Sequence, residues 1–273
     1  MKFKRFAAAV SAVAVVVLSL LLLLAGCAPK GEDKGGDLLA RIQAKGEITV
    51  ALEGTWAPWG YHDESGALVG YDVEVARLIG EKLGVKVTFV EGEFTGLLAG
   101  LEAGRYDVII NGVDIDDSRR EKYDFTVPYA YNRTVVVVRA DDTSIQSMED
   151  LDGKSTANTL NSTYSKVAEG YGATVTPVDD FIQTIELLTS GRIDATLNAE
   201  VSYNDYLIQH PEAPIKVACV DPAVTRTAIP LRKGADSDAL RAELDRILGE
   251  LAADGTLTRL SEQYFGLDIS KGE

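Results

Sequence analysis

Two cysteines, two histidines, two methionines and two tryptophans are all that this 273-residue chain contains of those types. So few cysteines cannot build a disulfide framework, and the fold must rest on an apolar core. Cys219, inside the apolar run 215–220, reads as a small buried hydrophobe. His62 and His210 stand far apart beside charged or proline residues, which leaves little material for a histidine triad or a metal cluster. HExxH, CxxC, GxSxG, P-loop and GxGxxG patterns are all missing. With them go the usual signals of hydrolase, NTPase, dinucleotide and metal chemistry, so no cofactor is expected. Positive charge is scarce as well: 27 Lys and Arg against 42 Asp and Glu give a formal charge of -15. Such a surface repels phosphate backbones and excludes nucleic acid as a partner. Repeats of roughly 20–50 residues and low-complexity stretches do not occur. With 46% hydrophobic and 25% charged residues, the chain reads as globular, with one or two domains.

The amino terminus sets the compartment. Three positive charges in residues 1–5 precede an apolar run from Phe6 to Leu24, followed by Ala25, Gly26 and Cys27, the layout of an export signal. The run is also about as long as a bilayer span, so an uncleaved anchor is the alternative. Leu24-Ala25-Gly26-Cys27 resembles the lipobox of bacterial lipoproteins, which implies cleavage before Cys27 and lipid on that cysteine. Loss of Lys2, Lys4 and Arg5 then takes the formal charge from -15 to -18. On this reading residues 1–26 are a signal peptide and 27–45 the lipidated Cys27 with a flexible tether. Residues 28–37 are rich in glycine and charge and have nothing apolar to anchor them.

The body alternates strand and helix patterns. Runs at 48–52, 85–90 and 108–110 read as strands, and 71–83 and 94–103 carry apolar residues at helical spacing. After Pro128-Tyr129 the alternation restarts with the β-branched run 134–139. Strands follow at 154–157, 173–178, 195–197 and 215–220, between helices near 163–171, 180–190 and 200–208. A strand at 228–231 and an amphipathic helix at 237–253 close the chain. Two α/β units, each a sheet flanked by helices, leave a cleft between them where a small molecule can bind.

Several short motifs in fixed order then carry a resemblance: Trp56-Ala57-Pro58-Trp59, Gly70-Tyr71-Asp72, Gly96-Leu97-Leu98, Gly104-Arg105-Tyr106-Asp107, Arg119, Asp124-Phe125-Thr126 with Pro128-Tyr129, Leu151-Asp152-Gly153-Lys154, Asn161-Ser162-Thr163, Gly191-Arg192-Ile193-Asp194 and Tyr264-Phe265-Gly266. Over roughly residues 46–268 the chain resembles the amino-acid-binding branch of bacterial extracellular solute-binding proteins, family 3. The neighbourhoods of Asn158 and Asn198 look most like the cystine and polar amino acid binders. The resemblance implies a two-lobed, periplasmic-binding-protein-like (type II) α/β fold, with lobe 1 at 46–132 plus 228–268 and lobe 2 at 133–227. It implies a monomer that captures a cystine-like or basic amino acid between its lobes and delivers it to an ABC permease in the membrane, with no enzymatic activity.

By the same resemblance Arg119 is the carboxylate anchor. On its residues alone, in the charged run 118–122, it reads first as a solvated surface arginine. It follows the strand that ends at Asn111-Gly112, near the sheet edge where α/β proteins bind ligands. Ser162 and Thr163 stand at a helix start, where free N–H groups attract an anion and where ordinary N-capping puts the same residues. Trp56 and Phe94 match aromatic ligand contacts, with core burial as the plain alternative. Glu53 and Glu93 match the acids of basic amino acid binders, with plain solvation as the alternative. The chain departs from the pattern at Asp114 and Asp116, usually Ser or Thr, and at Ala199, usually an Asp that pairs with the ligand ammonium. Glu200, Asn198 or Asp114 is expected to replace that Asp, and Asp116 to cap the short helix containing Arg119. Two other classes stay open: a dehydratase of the cyclohexadienyl or arogenate type, with Glu200 or Glu93 as the acid, and a ligand sensor for a membrane receptor.

Overall fold

The computed structural model describes residues 36–272; the signal-peptide and lipidation expectations, Cys27 included, lie outside the described residues. Helix α1 (Leu38–Lys45) starts at Asp37, whose carboxylate accepts the Ala40 N–H at 2.9 Å, and stops at Gly46 in the left-handed region. Leu38 and Ile42 are buried, and Arg41 pairs with Asp236 at 2.7 Å. Residues 38–45, expected as part of the flexible tether, are therefore a docked helix. The i, i+4 apolar pair makes a stripe wide enough to hold one short helix against the body.

Strand β1 (Glu47–Leu52) leads into a small antiparallel sheet of β2 (Thr55–Trp56), β3 (Gly60–His62) and β4 (Leu68–Val69). Helix α2 (Tyr71–Leu83), β5 (Lys86–Glu91), α3 (Phe94–Glu102) and β6 (Val108–Ile109) complete a parallel sheet in the order β5-β1-β6. Its central strand, the apolar run of β1, buries Ile48, Val50, Ala51 and Leu52, as a strand covered by helices requires. After the short α4 (Asp117–Arg120) and β7 (Tyr123–Phe125), the chain crosses to the second lobe along β8 (Ala130–Arg139).

That lobe holds β9 (Ser155–Thr159), α5 (Thr163–Gly170), β10 (Thr174–Val178), α6 (Phe181–Thr189), β11 (Ala195–Ala199), α7 (Glu200–Gln209) and the long β12 (Ile215–Thr227). The strands form one mixed sheet in the order β10-β9-β11-β8-β12, with β8 antiparallel to both neighbours. At one end of this sheet, residues 224–227 of β12 pair with 133–130 of β8, so a two-stranded ribbon carries both crossings. Back in the first lobe, β13 (Pro230–Arg232) pairs with β7 and is followed by α8 (Ala235–Ala253) and α9 (Thr256–Phe265). Helix α8 buries Leu240, Leu244, Ile247, Leu248 and Leu251, the stripe its sequence sets out. The result is a two-lobed α/β fold. Among the described residues, no helix is long and apolar enough to cross a membrane.

Candidate functional site

Between the lobes lies a crevice of about 440 Å³, its open mouth included. Glu53, Trp56, Phe94, Gly112, Asp114 and Arg119 line it from the first lobe, and Thr159, Ser162, Thr163, Tyr164, Phe181 and Asn198 from the second. Nearly all of them stand where an element ends or begins. Glu53 follows β1, Gly112 and Asp114 follow β6, Phe94 opens α3, and Thr163 and Phe181 open α5 and α6. Parallel α/β sheets offer this edge to ligands because the loops leaving the strands and the helix N-termini meet there.

Arg119 is only 3% exposed and points into the crevice. Asp116 caps α4, its Oδ1 accepting the Arg119 N–H at 2.8 Å, and its Oδ2 lies 3.5 Å from Arg119 Nε. Nη1 donates to the Asp114 carbonyl at 2.7 Å and, more weakly, to Thr163 Oγ1 at 3.4 Å. Nη2 donates to the Asn161 carbonyl at 2.9 Å. Asn161 holds a positive φ of 61°, which aims that carbonyl across the gap. The guanidinium also lies over the Phe94 ring, 5.7 Å from its centre. Those three hydrogen bonds take three of its five N–H protons and Nε–H lies beside Asp116, which leaves one Nη2 proton for a ligand oxygen.

The negative groups outnumber this cation. Asp114 is buried beside it, its Oδ1 accepting from Thr227 Oγ1 at 3.1 Å. Burial pushes the Asp114 carboxyl up from its usual range, and the Arg119 charge and threonine hydroxyls offset part of that. Burial likewise pushes Glu53 up to about 7, against the lowering hydrogen bond from Asn111 and with the Asp180 charge adding to the rise. Asn111 clamps Glu53 twice: its Oδ1 accepts the Glu53 N–H and its Nδ2 donates to Glu53 Oε2, both at 2.8 Å.

Aromatic rings wall the crevice. Trp56 stacks on Trp59 at 5.3 Å and meets Tyr164 edge-on at 6.4 Å, and its Nε1 is buried without an acceptor. Gly112, at φ 55°, lets Trp56 lie where it does, since a Cβ there would come within 2.5 Å of the indole. On the facing side Ser162 Oγ accepts the Ser165 N–H at 3.0 Å and caps α5. The first N–H groups of that helix have no partner within it, and Ser162, Thr163 and Tyr164 at its start line the gap.

This architecture matches a known family model over residues 48–267. The chain belongs to the bacterial extracellular solute-binding proteins, family 3. It is 40% identical over 236 residues to a probable amino-acid ABC transporter-binding protein of Haemophilus influenzae, covering 86% of this chain and 91% of that one. An L-cystine-binding protein of Bacillus subtilis is 38% identical over 243 residues, covering 89% and 90%. Among solved structures, an ancestral arginine-binding protein bound to arginine aligns with a TM-score of 0.75 at 36% identity, covering 81% of this chain and 99% of its own. The L-cystine receptor of Neisseria gonorrhoeae, unliganded and open, is more similar in sequence at 42% but aligns at only 0.60, covering 87% and 100%. In this chain Arg119 makes direct contacts across the crevice, to Thr163 and to the Asn161 carbonyl.

Three residues expected at the site are placed elsewhere. Glu93, the residue before α3, is exposed, and the next residue, Phe94, takes the inward position. Glu200 opens α7 and pairs with Arg133 at 3.0 Å, away from the crevice lining, so it is not the substitute ammonium partner. With neither residue in the lining, both acids considered for a dehydratase fall outside the crevice. Asn111 sits buried behind Glu53 and holds it in place, without lining the space itself. Asp114 and Asn198 do line it; Asn198 spends its Oδ1 on the Ala199 N–H at 2.8 Å. Tyr164, Phe181 and Thr159 are residues the sequence reading missed. For the two aromatics a signal was present, since each directly follows a helix-starting pair or cap: Ser162-Thr163 before Tyr164, and Asp180 before Phe181.

Proposed function

We propose that this chain is the solute-capturing lipoprotein of an ABC importer, which binds a polar amino acid, cystine-like or basic, between its lobes and presents the closed form to a membrane permease. One observation carries the reading: a buried guanidinium in an interlobe crevice, opposite a helix N-terminus and beside two carboxylates. A free amino acid brings a carboxylate and an ammonium, each costly to bury unpaired. Arg119 and the start of α5 suit the carboxylate, and Asp114 with Asn198 suits the ammonium. Glu53 then faces the ligand's far end, where a cation or hydrogen-bond donor balances it. The aromatic walls of Trp56, Phe94, Tyr164 and Phe181 cover the carbon chain. Both ends contact the ligand only in the closed form, so binding favours closure. Lipid on Cys27 holds the monomer outside the cytoplasm, a reading supported by the Leu24–Cys27 pattern. Calorimetric titration with cystine, arginine, lysine, histidine, glutamine and glutamate tests the proposal. A saturable heat with at least one is expected, and Arg119→Ala abolishes it; a full panel of flat titrations rejects the reading.

A further inference from the structure

One seam between the lobes lies outside the crevice lining. Lys166, on the second turn of α5 in the second lobe, places Nζ 2.7 Å from Asp116 Oδ2 and 2.8 Å from Ser118 Oγ, both in the first lobe. Asp116 is the same residue whose Oδ1 caps α4 at the Arg119 N–H and whose Oδ2 lies beside Arg119 Nε. A single carboxylate thus touches the buried arginine on its own lobe and a cation on the other. Ser118 Oγ also donates to Asp116 Oδ1 at 2.6 Å, which fixes the carboxylate plane between the two cations. Arg119 extends the seam through Nη2 to the Asn161 carbonyl. The pair is only part-exposed, at 39% for the lysine side chain and 27% for the aspartate. It lies on the short span 116–119 and the helix that begins at Thr163, so any separation of the lobes breaks it.

We propose that Asp116 and Lys166 form a positioning pair that ties the lobes shut and holds Arg119 in its crevice-facing rotamer, setting the affinity for any amino acid that enters. The proposal rests on the reading of the crevice as an amino acid site. A purely local role for Asp116, as the cap of α4, makes a different prediction, because asparagine caps as well as aspartate while carrying no charge.

The chain supplies its own reporter. Of its two tryptophans, both buried, Trp56 lines the crevice and Trp59 stacks on it, and each meets the second lobe, through Tyr164 at 6.4 Å and through the Trp59 Nε1 bond to Ser202 Oγ at 3.2 Å. In the full chain without added amino acid, Lys166→Met is expected to shift tryptophan emission to the red and raise acrylamide quenching, whereas Lys166→Arg keeps the wild-type spectrum. Titration with L-arginine and L-cystine is expected to show about five-fold weaker binding for Lys166→Met and for Asp116→Asn, the upper end for a part-exposed ion pair. The double variant is no weaker than either single, and about 0.5 M NaCl brings the wild type toward the variants. Wild-type emission and affinity in Lys166→Met, or additive losses in the double variant, overturn the pair. The two readings fail separately. If the wild type binds none of the six amino acids of the panel, the functional reading falls, and the emission of Lys166→Met alone decides whether the lobes are tied.

Discussion

Glu53 is the residue whose chemistry the crevice alters most usefully. Its carboxyl, raised to about 7 chiefly by burial, takes up a proton on folding that the unfolded chain, with its ordinary value of 4.5, releases. The fold therefore loses stability as pH rises from about 4.5 to 7, and the loss is complete above that window. Glu53→Gln removes it. Urea denaturation of the variant is expected to show a gain of about 1–2 kcal/mol at pH 8 and none at pH 4. A cationic ligand tail at Glu53 would favour ionisation, so arginine binding should strengthen between pH 6 and 8 with proton release. Calorimetry in buffers of different ionisation enthalpy reads this, and the dependence should vanish in Glu53→Gln. Gly112 makes a steric counterpart. Gly112→Ala combines a left-handed backbone with a clash against Trp56, and is expected to weaken amino acid binding and alter tryptophan emission. Such residue-scale facts were partly legible. Glu53, Trp56, Phe94, Asp114 and Arg119 emerged from order and resemblance, since motif residues keep their place relative to strand ends. The orientation of Glu93 and Glu200 did not, because one residue of slip at a helix start turns a side chain from crevice to solvent.

At the scale of elements, long periodic segments declared themselves and short ones did not. Helices α2 and α8 and the apolar runs of β1 and β8 combine a clear period with enough length to outweigh local noise. The strands β2, β3 and β4, two or three residues each, hold no period at all and exist because β1 and α2 bracket them. Helix α1 is the instructive case. Its sequence follows a glycine-rich, charged stretch and reads as more of the same, yet Ile42 is 2% exposed within the core. Ile42→Ala is expected to cost about 2–4 kcal/mol by the lost apolar contact and the cavity left behind. A tether residue would cost nothing measurable. The midpoint of chemical denaturation distinguishes the two, and an unchanged midpoint would restore the tether to residue 45.

For the whole molecule, the charge balance and the buried acids point to the same acid-side optimum. Asp72, fully buried under the first lobe with Oδ1 accepting from Tyr129 at 2.7 Å, is raised by burial to about 7, as Glu53 is. Both therefore favour the fold below neutrality and lose that contribution as pH climbs from about 4 to 7. Asp116 and Asp268 stand among the carboxylates that work in the opposite sense. For Asp116 and Asp268 burial would raise the carboxyl, but the partners outweigh it: Lys166, Ser118 and Arg119 for the first, and Ser270, Lys271 and Thr258 for the second. Both are held at about 2, so they support the fold above the ordinary value of 3.8 and fail only as pH falls toward 2. The surplus of acid residues adds a diffuse term, since self-repulsion vanishes near the isoelectric point of about 4.6. Stability is thus expected to peak near pH 4–5, fall toward pH 8 and fall again below pH 3, as read from thermal midpoints across that range. Asp72→Asn, which keeps an acceptor for Tyr129, should flatten the alkaline side of the curve and leave the acid side intact. If the optimum instead lies at pH 7–8, the buried carboxyls are ionised at little cost, and the pH dependence expected of ligand binding at Glu53 loses its basis.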